Sequence, residues 1–288
     1  MIPKKFNYFA PTSLDEAVRF LSEDSEAKVL AGGQSLLVLM KLRLAAPSSL
    51  VDITKLPGLS YVRDQGDYFA IGALTTHDEV EQDRAIKENF TLLNDAVSRI
   101  GDQQVRNRGT IGGSACHADP AADLPTALLV ADARFVIRGR SGERVIPARD
   151  FFVDMFVTAV GHDEILTGVR LPHLPPRSAS AYTKQSLRES DSASAAVGVV
   201  VTLKGDAMCE DLRIGIGGAG PIPLRSTSAE SYLRGRKLDE TKIAEASERA
   251  VEGADPPPDV HGSKQYKLEM IKVLTRRSLN LALSRVVT

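Results

Sequence analysis

The first fifty residues alternate short apolar runs with polar stretches, a pattern typical of small strands and helices. Glu16 stands three residues after Ser13, the spacing of a capping box, which predicts a helix running to about Leu21. Strands are predicted at residues 28–31 and 50–53, with a helical segment at residues 36–40 between them. Residues 31–35 therefore lie at a strand-to-helix junction, where a helix N-terminus favours bound phosphate.

Residues 68–171 contain segments with helical periodicity and segments with the alternation of a strand. Apolar positions between residues 85 and 100 recur at helical spacing and predict one helix. Residues 134–138 alternate as a strand, and the following glycines predict a hairpin with residues 144–146. Further elements are predicted as strands at residues 68–73 and 164–171 and as a helix at residues 124–130.

Three prolines within residues 172–176 mark a domain boundary, because proline continues neither a helix nor a strand. We expect a first domain of residues 1–176, with subdomains of about 1–55 and 56–176, and a second domain of residues 177–288. The second domain is expected to be α+β, with strands at residues 195–203 and 211–216 and helices at residues 240–251 and 264–286.

Composition and charge exclude several classes of function. The 288 residues suffice for two domains, and the formal net charge of -1 comes without a basic run that would bind nucleic acid. Aromatic residues make up 5% and tryptophan is absent, which disfavours a stacking platform for bases. The apolar stretches are far shorter than the roughly 20 residues that cross a bilayer, and the N-terminus lacks the apolar core of a signal peptide. We therefore expect a cytoplasmic protein without a membrane span.

The cysteines and histidines do not form a recognisable ligand set. Two cysteines, Cys116 and Cys209, neither make a disulfide framework nor supply the four thiolates typical of an iron–sulfur cluster. His117 follows Cys116, yet no other cysteine or histidine at ligand spacing completes a metal site, so local packing is expected for this pair. The other histidines, including His77, are scattered. We predict no catalytic and no metal-binding residue.

Two glycine segments carry the candidate chemistry: Ala31-Gly32-Gly33-Gln34-Ser35 and Thr110-Ile111-Gly112-Gly113-Ser114. Paired glycines let backbone N–H groups approach an anion, and the hydroxyls of Ser35 and Thr110 add donors, so two such loops can hold one pyrophosphate. Neither segment has the Gly-x-Gly-x-x-Gly spacing of a Rossmann site or the Gly-x-x-x-x-Gly-Lys spacing of a P-loop. Taken alone, either pair would be a simple turn, as we expect for Gly217 and Gly218.

The ordered set of motifs resembles a known family over essentially the whole chain. Besides the two glycine segments it includes Met-Lys-Leu-Arg-Leu at residues 40–44, Ile-Gly-Ala-Leu-Thr-Thr at residues 71–76 and Ala-Asp-Pro-Ala-Ala-Asp-Leu-Pro at residues 118–125. The set is similar to the FAD-binding medium subunits of the molybdenum hydroxylases. Relatives include the flavoprotein subunit of carbon monoxide dehydrogenase, the flavin domain of xanthine dehydrogenase and the medium subunits of N-heterocycle hydroxylases. The resemblance implies an α+β fold: a two-part α/β FAD-binding domain (PCMH or vanillyl-alcohol-oxidase-like) and a smaller α+β C-terminal domain.

The resemblance also implies a set of cofactor-binding residues. In the family the two glycine segments wrap the FAD pyrophosphate, which assigns all ten of their residues. Asp123 aligns with an acidic position near the cofactor, with a helix N-cap as the alternative. Lys184 matches a lysine near the flavin ring, where a cation favours the anionic reduced flavin, the alternative being an ordinary exposed lysine. Ile100 and Leu166 match apolar positions that border the cofactor, or belong to the core. Ser114 departs from the asparagine common in relatives.

The implied role is electron transfer. Such a subunit receives electrons from the [2Fe–2S] clusters of a small subunit, after substrate oxidation at a molybdopterin-type molybdenum cofactor in a large subunit. It passes them through FAD to an external acceptor. The expected assembly is a dimer of heterotrimers. Two alternatives stay open: a stand-alone FAD-dependent oxidase or dehydrogenase, and a scaffold that has lost FAD.

Overall fold

The computed structural model describes residues 2–188, 191–205 and 207–286. The first body contains β1 (Asn7–Phe9), α1 (Leu14–Glu23), β2 (Lys28–Leu30), α2 (Leu36–Lys41) and β3 (Ser49–Asp52). Its strands are parallel, in the order β1-β3-β2. Parallel strands need a crossover connection, which α1 provides between β1 and β2 and α2 provides between β2 and β3. The first glycine segment occupies the turn from β2 into α2.

The start of α1 confirms Ser13 as the N-cap, but the predicted capping box does not form. Ser13 Oγ accepts a hydrogen bond from the Glu16 amide at 3.2 Å. The Glu16 carboxylate accepts from the Thr12 amide at 2.7 Å, one residue earlier than in a capping box. The helix buries Ala17 and Leu21 in a core shared with β3.

The second body is built on a five-stranded antiparallel sheet with helices on one side. Its elements are β4 (Val62–Asp64), β5 (Tyr68–Gly72), α3 (His77–Gln82), α4 (Arg84–Asn89), α5 (Thr91–Val97), α6 (Gln103–Arg106), α7 (Ile111–His117), α8 (Asp123–Val130), β6 (Arg134–Gly139), β7 (Gly142–Pro147), α9 (Ala148–Phe151), β8 (Phe152–Asp154), β9 (Val157–Thr158) and β10 (Ile165–Pro172). The strand order is β4-β5-β10-β6-β7, and β8 pairs with β9 as a separate hairpin. The predicted hairpin of β6 and β7 is confirmed, with Gly139 opposite Gly142.

The single helix predicted for residues 85–100 is wrong. The chain forms α4 and α5 with a break at Phe90, whose backbone (φ -133°, ψ 60°) is not helical. The Phe90 ring is buried edge-on against Phe69, with centroids 5.3 Å apart. Thr91 begins α5 and donates from its hydroxyl to the Ser180 carbonyl at 2.6 Å. Tertiary contacts on both sides of the break therefore override the local helical pattern.

The second glycine segment, which was expected to be a loop, is the start of a helix. Thr110 is the N-cap of α7, and the two glycines lie in the first turn of that helix.

The third body is an antiparallel sheet in the order β11-β12-β13-β14, followed by helices. Its elements are β11 (Ser178–Gln185), β12 (Ala195–Lys204), β13 (Met208–Gly217), β14 (Leu224–Arg225), α10 (Thr227–Leu233), α11 (Glu240–Arg249) and α12 (Lys264–Ser284). Strand β12 is buried at every position but Lys204, because both faces of the sheet are covered. Val197 and Val199 face the core with α12, whereas Val200 packs into the core of the second body. In the described ranges no helix has the length and apolarity needed to cross a membrane.

Candidate functional site

A cleft of about 1090 Å³ runs between the first and second bodies. Its walls come from the turn after β2, from α2, from the first turns of α7 and α8, and from the hairpin β8–β9 and the start of β10. This volume lies just above the range of about 300–1,000 Å³ typical of small-molecule sites. The cleft is therefore large enough for an extended ligand such as a dinucleotide.

Most residues assigned to the cofactor lie in the walls of this cleft. Those that line it are Ala31, Gly32, Gly33, Gln34, Ser35, Ile100, Thr110, Gly112, Gly113, Ser114, Asp123 and Leu166. Two assigned residues do not line it. Ile111 is fully buried in the core, and Lys184 lies behind Asp123.

The first glycine segment presents a run of free backbone donors. Within the described residues, the amides of the five positions 32–36 have no hydrogen-bond acceptor in the protein. Gly33 adopts a left-handed conformation (φ 75°) that glycine favours. Successive free amides around such a residue form a concave nest that binds anions. This segment therefore fits a phosphate group.

The second glycine segment, unlike the first, uses most of its amides in hydrogen bonds within the protein. The expectation that these amides hold phosphate is therefore corrected. The Ile111 amide donates to the Thr75 carbonyl at 3.0 Å and the Gly112 amide to the Ala73 carbonyl at 2.9 Å. The Gly113 amide donates to Thr110 Oγ1 at 3.0 Å, and the Ser114 amide donates to the Thr110 carbonyl at 3.0 Å. These four amides are thus occupied inside the protein, and the segment offers the cleft its hydroxyls and, of its amides, only that of Thr110, which has no acceptor among the described residues.

Close packing around the two segments explains the glycines at positions 32 and 113. A Cβ on Gly32 would lie 1.9 Å from the carbonyl oxygen of Arg108, so only glycine lets the first turn pack on the chain leading into α7. A Cβ on Gly113 would lie 2.8 Å from Thr110 Oγ1 and 3.9 Å from Ala31 across the cleft. Gly113 therefore keeps the cleft open between the two segments.

Asp123 is not the N-cap that was the alternative interpretation. It is the first residue of α8, whose N-cap is Ala122. The Asp123 carboxylate accepts from Tyr182 Oη at 2.7 Å and from Lys184 Nζ at 3.0 Å. Burial raises the pKa of Asp123, and the charge of Lys184 opposes that effect. One wall of the cleft thus carries a buried carboxylate held by two residues of β11.

Lys184 is not the ordinary exposed lysine of the alternative interpretation, because only 2% of its side chain is exposed. Besides Asp123, its ammonium donates to the Arg99 carbonyl at 2.8 Å and the Asp191 carbonyl at 3.0 Å. Ile100 and Asp191 both line the cleft. Lys184 therefore links Asp123, Asp191 and the residue before Ile100 by hydrogen bonds, without itself lining the cleft.

Several cleft residues were not assigned to the site from the sequence, which predicts local packing for Cys116 and His117. His77 and His117 both line the cleft, as does Phe156, whose ring lies 5.1 Å from that of His117. Cys116 also lines it, but burial raises the pKa of its thiol to about 12, so it is no nucleophile at neutral pH. Cys116 and His117 are adjacent in α7, but His77 lies in α3 and Phe156 lies between β8 and β9, so no motif spacing links the four residues. In the ranges the structure describes, no group of three or more metal-ligating side chains is present.

Taken together, the cleft suits an elongated ligand with an anionic group and a flat apolar group. The free amides at residues 32–36 and the hydroxyls of Thr110 and Ser114 are donors for phosphate oxygens. Ile100 and Leu166 supply apolar wall. The residues present therefore fit FAD.

Known proteins resemble the chain along its whole length. Residues 4–174 match the family model of the FAD binding domain in molybdopterin dehydrogenase, and residues 180–282 match that of the CO dehydrogenase flavoprotein C-terminal domain. The chain is 40% identical to the 6-hydroxypseudooxynicotine dehydrogenase complex subunit alpha of Paenarthrobacter nicotinovorans, covering 99% of this chain and 97% of the relative.

Solved structures agree with these matches. A chain of the carbon monoxide dehydrogenase from Hydrogenophaga pseudoflava gives a TM-score of 0.97 at 36% identity, covering 100% of both chains. A chain of quinoline 2-oxidoreductase from Pseudomonas putida 86 gives a TM-score of 0.94 at 31% identity, again over 100% of both chains. The predicted fold class, an FAD-binding domain followed by a smaller C-terminal domain, is thereby confirmed.

Proposed function

The chain belongs to the FAD-binding medium subunits of the molybdenum hydroxylases, and we propose that it relays electrons from partner iron–sulfur clusters through FAD to an external acceptor. The observation that carries this proposal is the cleft that is lined by both the free amides of residues 32–36 and Thr110. Membership in an oxidoreductase family supports it, since the relatives are dehydrogenase subunits.

In this proposal the two glycine segments hold the FAD diphosphate, and Ile100 and Leu166 border the flavin. Bound FAD supplies redox chemistry that accepts single electrons and releases one or two. The chain itself would bind and orient the cofactor. Asp123 and Lys184 contribute by fixing the wall rather than by a free charge, because both are engaged with each other.

The proposed partners are a small subunit with [2Fe–2S] clusters and a large subunit with the molybdopterin-type cofactor, assembled as a dimer of heterotrimers in the cytoplasm. The chain has only two cysteines, so clusters that need four thiolates belong to another chain. We place substrate choice in the large subunit. Similar medium chains come from enzymes named for substrates as different as carbon monoxide and quinoline. We also propose that the chain divides into domains of residues 1–176 and 177–288.

Purification of the native assembly through a tag on this chain tests the proposal. We expect two further polypeptides, iron and molybdenum to co-purify, and denaturation to release FAD rather than FMN. An active flavoprotein isolated without either metal would instead favour the stand-alone oxidase or dehydrogenase. A folded, colourless chain that does not take up FAD would favour the cofactor-free scaffold.

A further inference from the structure

His77 lies in the cleft wall directly behind the second glycine segment. It is the first residue of α3, and its amide donates to the Gly109 carbonyl at 2.9 Å. Only 3% of the residue is exposed, yet it lines the cleft. A Cβ on Gly109 would lie 2.7 Å from Cδ2 and 2.9 Å from Nε2 of the imidazole. The absence of a side chain at position 109 therefore leaves room for the His77 ring at this wall.

The imidazole of His77 has no hydrogen-bond partner within residues 2–188, 191–205 and 207–286. Its Nδ1 is enclosed without a hydrogen bond, and Nε2 bonds to no group among the residues described. Leaving a buried polar group unpaired costs about 1–3 kcal/mol. Such a group in a native protein calls for an explanation, commonly a ligand or an ordered water. Because Nδ1 is enclosed and His77 lines the cleft, Nε2 is the ring nitrogen that a ligand in the cleft can reach.

The charge state of His77 defines what it can bind. Burial, with a smaller contribution from the nearby positive charge of Arg106, lowers its pKa to about 4. Arg106 is itself paired with Glu81 at 2.8 Å. The imidazole is therefore neutral at pH 7, with one N–H donor and one acceptor nitrogen. It can donate a hydrogen bond without adding a charge.

The neighbouring glycine segment offers few backbone donors to a diphosphate, because the amides of residues 111–114 are all occupied and only that of Thr110 has no acceptor among the residues described. We propose that His77 is a binding residue for the FAD diphosphate, donating from Nε2 beside the Thr110 hydroxyl. This inference rests on the proposed function of the cleft. It adds the His77 side chain to the hydroxyls of Thr110 and Ser114 on the second wall of the phosphate site, whereas the first wall uses backbone amides.

Two substitutions at one position test the proposal by ligand affinity. His77→Leu removes the donor, and His77→Gln retains a neutral one. We expect His77→Leu to raise the Kd of the apoprotein for ADP and for FAD by about tenfold or more, the range of a hydrogen bond to a charged group. His77→Gln should recover most of that loss. His173→Leu is the matched control, because His173 lies outside the cleft and contacts Phe69 and Asp64.

A purely structural role would give a different result. If His77→Leu changed the thermal midpoint but left both Kd values unchanged, the assignment would be overturned. The wild-type chain provides a test that needs no variant. In protein labelled with ¹⁵N-histidine, ADP should shift the ring nitrogen resonances of His77, whereas adenosine, which lacks phosphate, should not. Equal responses to both, as expected if a water satisfies the ring, would also overturn it.

The failure of this inference can be told apart from the failure of the proposed function. If the wild-type chain bound neither FAD nor ADP, the function of the cleft would be wrong. If the wild-type chain bound both and the His77 variants bound them equally well, only the role of His77 would be wrong.

Discussion

Lys184 and Asp123 form a buried ion pair across the junction of the second and third bodies, with Nζ 3.0 Å from Oδ2. Only 2% of the lysine side chain and 6% of the aspartate side chain are exposed. The pair is completed by the Tyr182 hydroxyl and by two backbone carbonyls. A residue of the C-terminal sheet thus fixes the geometry of the cofactor cleft.

Removing one partner of this ion pair should lower the free energy of unfolding. In Lys184→Met the Asp123 carboxylate would stay buried without its cation, and we expect the free energy of unfolding to fall by about 3–5 kcal/mol. Urea unfolding measures this. The control is Lys242→Met, which breaks the exposed pair with Asp239 and should cost about 1 kcal/mol or less. Equal losses in the two variants would contradict a buried, energetically coupled pair.

A side chain at Gly113 should block the cofactor. We expect Gly113→Val to lower the FAD content of the purified protein by about tenfold or more, because the added carbons would enter the gap between Thr110 and Ala31. Flavin absorbance after denaturation provides the measurement. Gly220→Val is the control, since a Cβ there meets no atom within 4 Å. Full flavin content in Gly113→Val would contradict the assignment of this wall to the diphosphate.

Local patterns in the sequence were sufficient for elements whose determinants lie close together in the chain. The N-cap at Ser13 and the hairpin closed by Gly139 and Gly142 depend on residues a few positions apart. The motif strings, read as a resemblance, also located most of the cleft wall. These local patterns and motifs agree with the observed fold, as expected for a sequence that specifies one structure.

Long-range contacts account for what the sequence did not reveal. The break at Phe90 depends on packing against Phe69 and on a hydrogen bond from Thr91 to the third body. The role of Lys184 depends on carbonyls of residues 99 and 191. His77 looked like one scattered histidine because its position beside Gly109 arises only when α3 and α7 come together.

The buried imidazole of His77 should make stability depend on pH. Its folded pKa of about 4 lies below the ordinary value of 6.5, so the unfolded chain binds more protons between these values. Stability from this group is therefore complete above pH 6.5 and is lost as the pH falls towards 4. At pH 5 the loss relative to pH 7 is about 2 kcal/mol.

Urea unfolding at pH 7 and pH 5 measures this loss, with His77→Gln as the comparison because glutamine does not titrate. The variant should lose about 2 kcal/mol less than the wild type between the two pH values. An identical pH dependence in both proteins would show that His77 is not buried in its neutral form.

Thr110 combines a structural and a binding role, which two substitutions can separate. Its Oγ1 accepts from the Gly113 amide as the N-cap of α7, while its hydroxyl proton stays available to the cleft. Thr110→Ala should lower the free energy of unfolding by about 1 kcal/mol and weaken FAD binding by about tenfold, whereas Thr110→Ser should preserve both. Ser13→Ala removes the comparable cap of α1, so it should lose similar stability while FAD affinity stays unchanged. If Thr110→Ala lost stability but kept its affinity, the Gly113 amide freed by the substitution would be the better candidate for the phosphate donor on this wall.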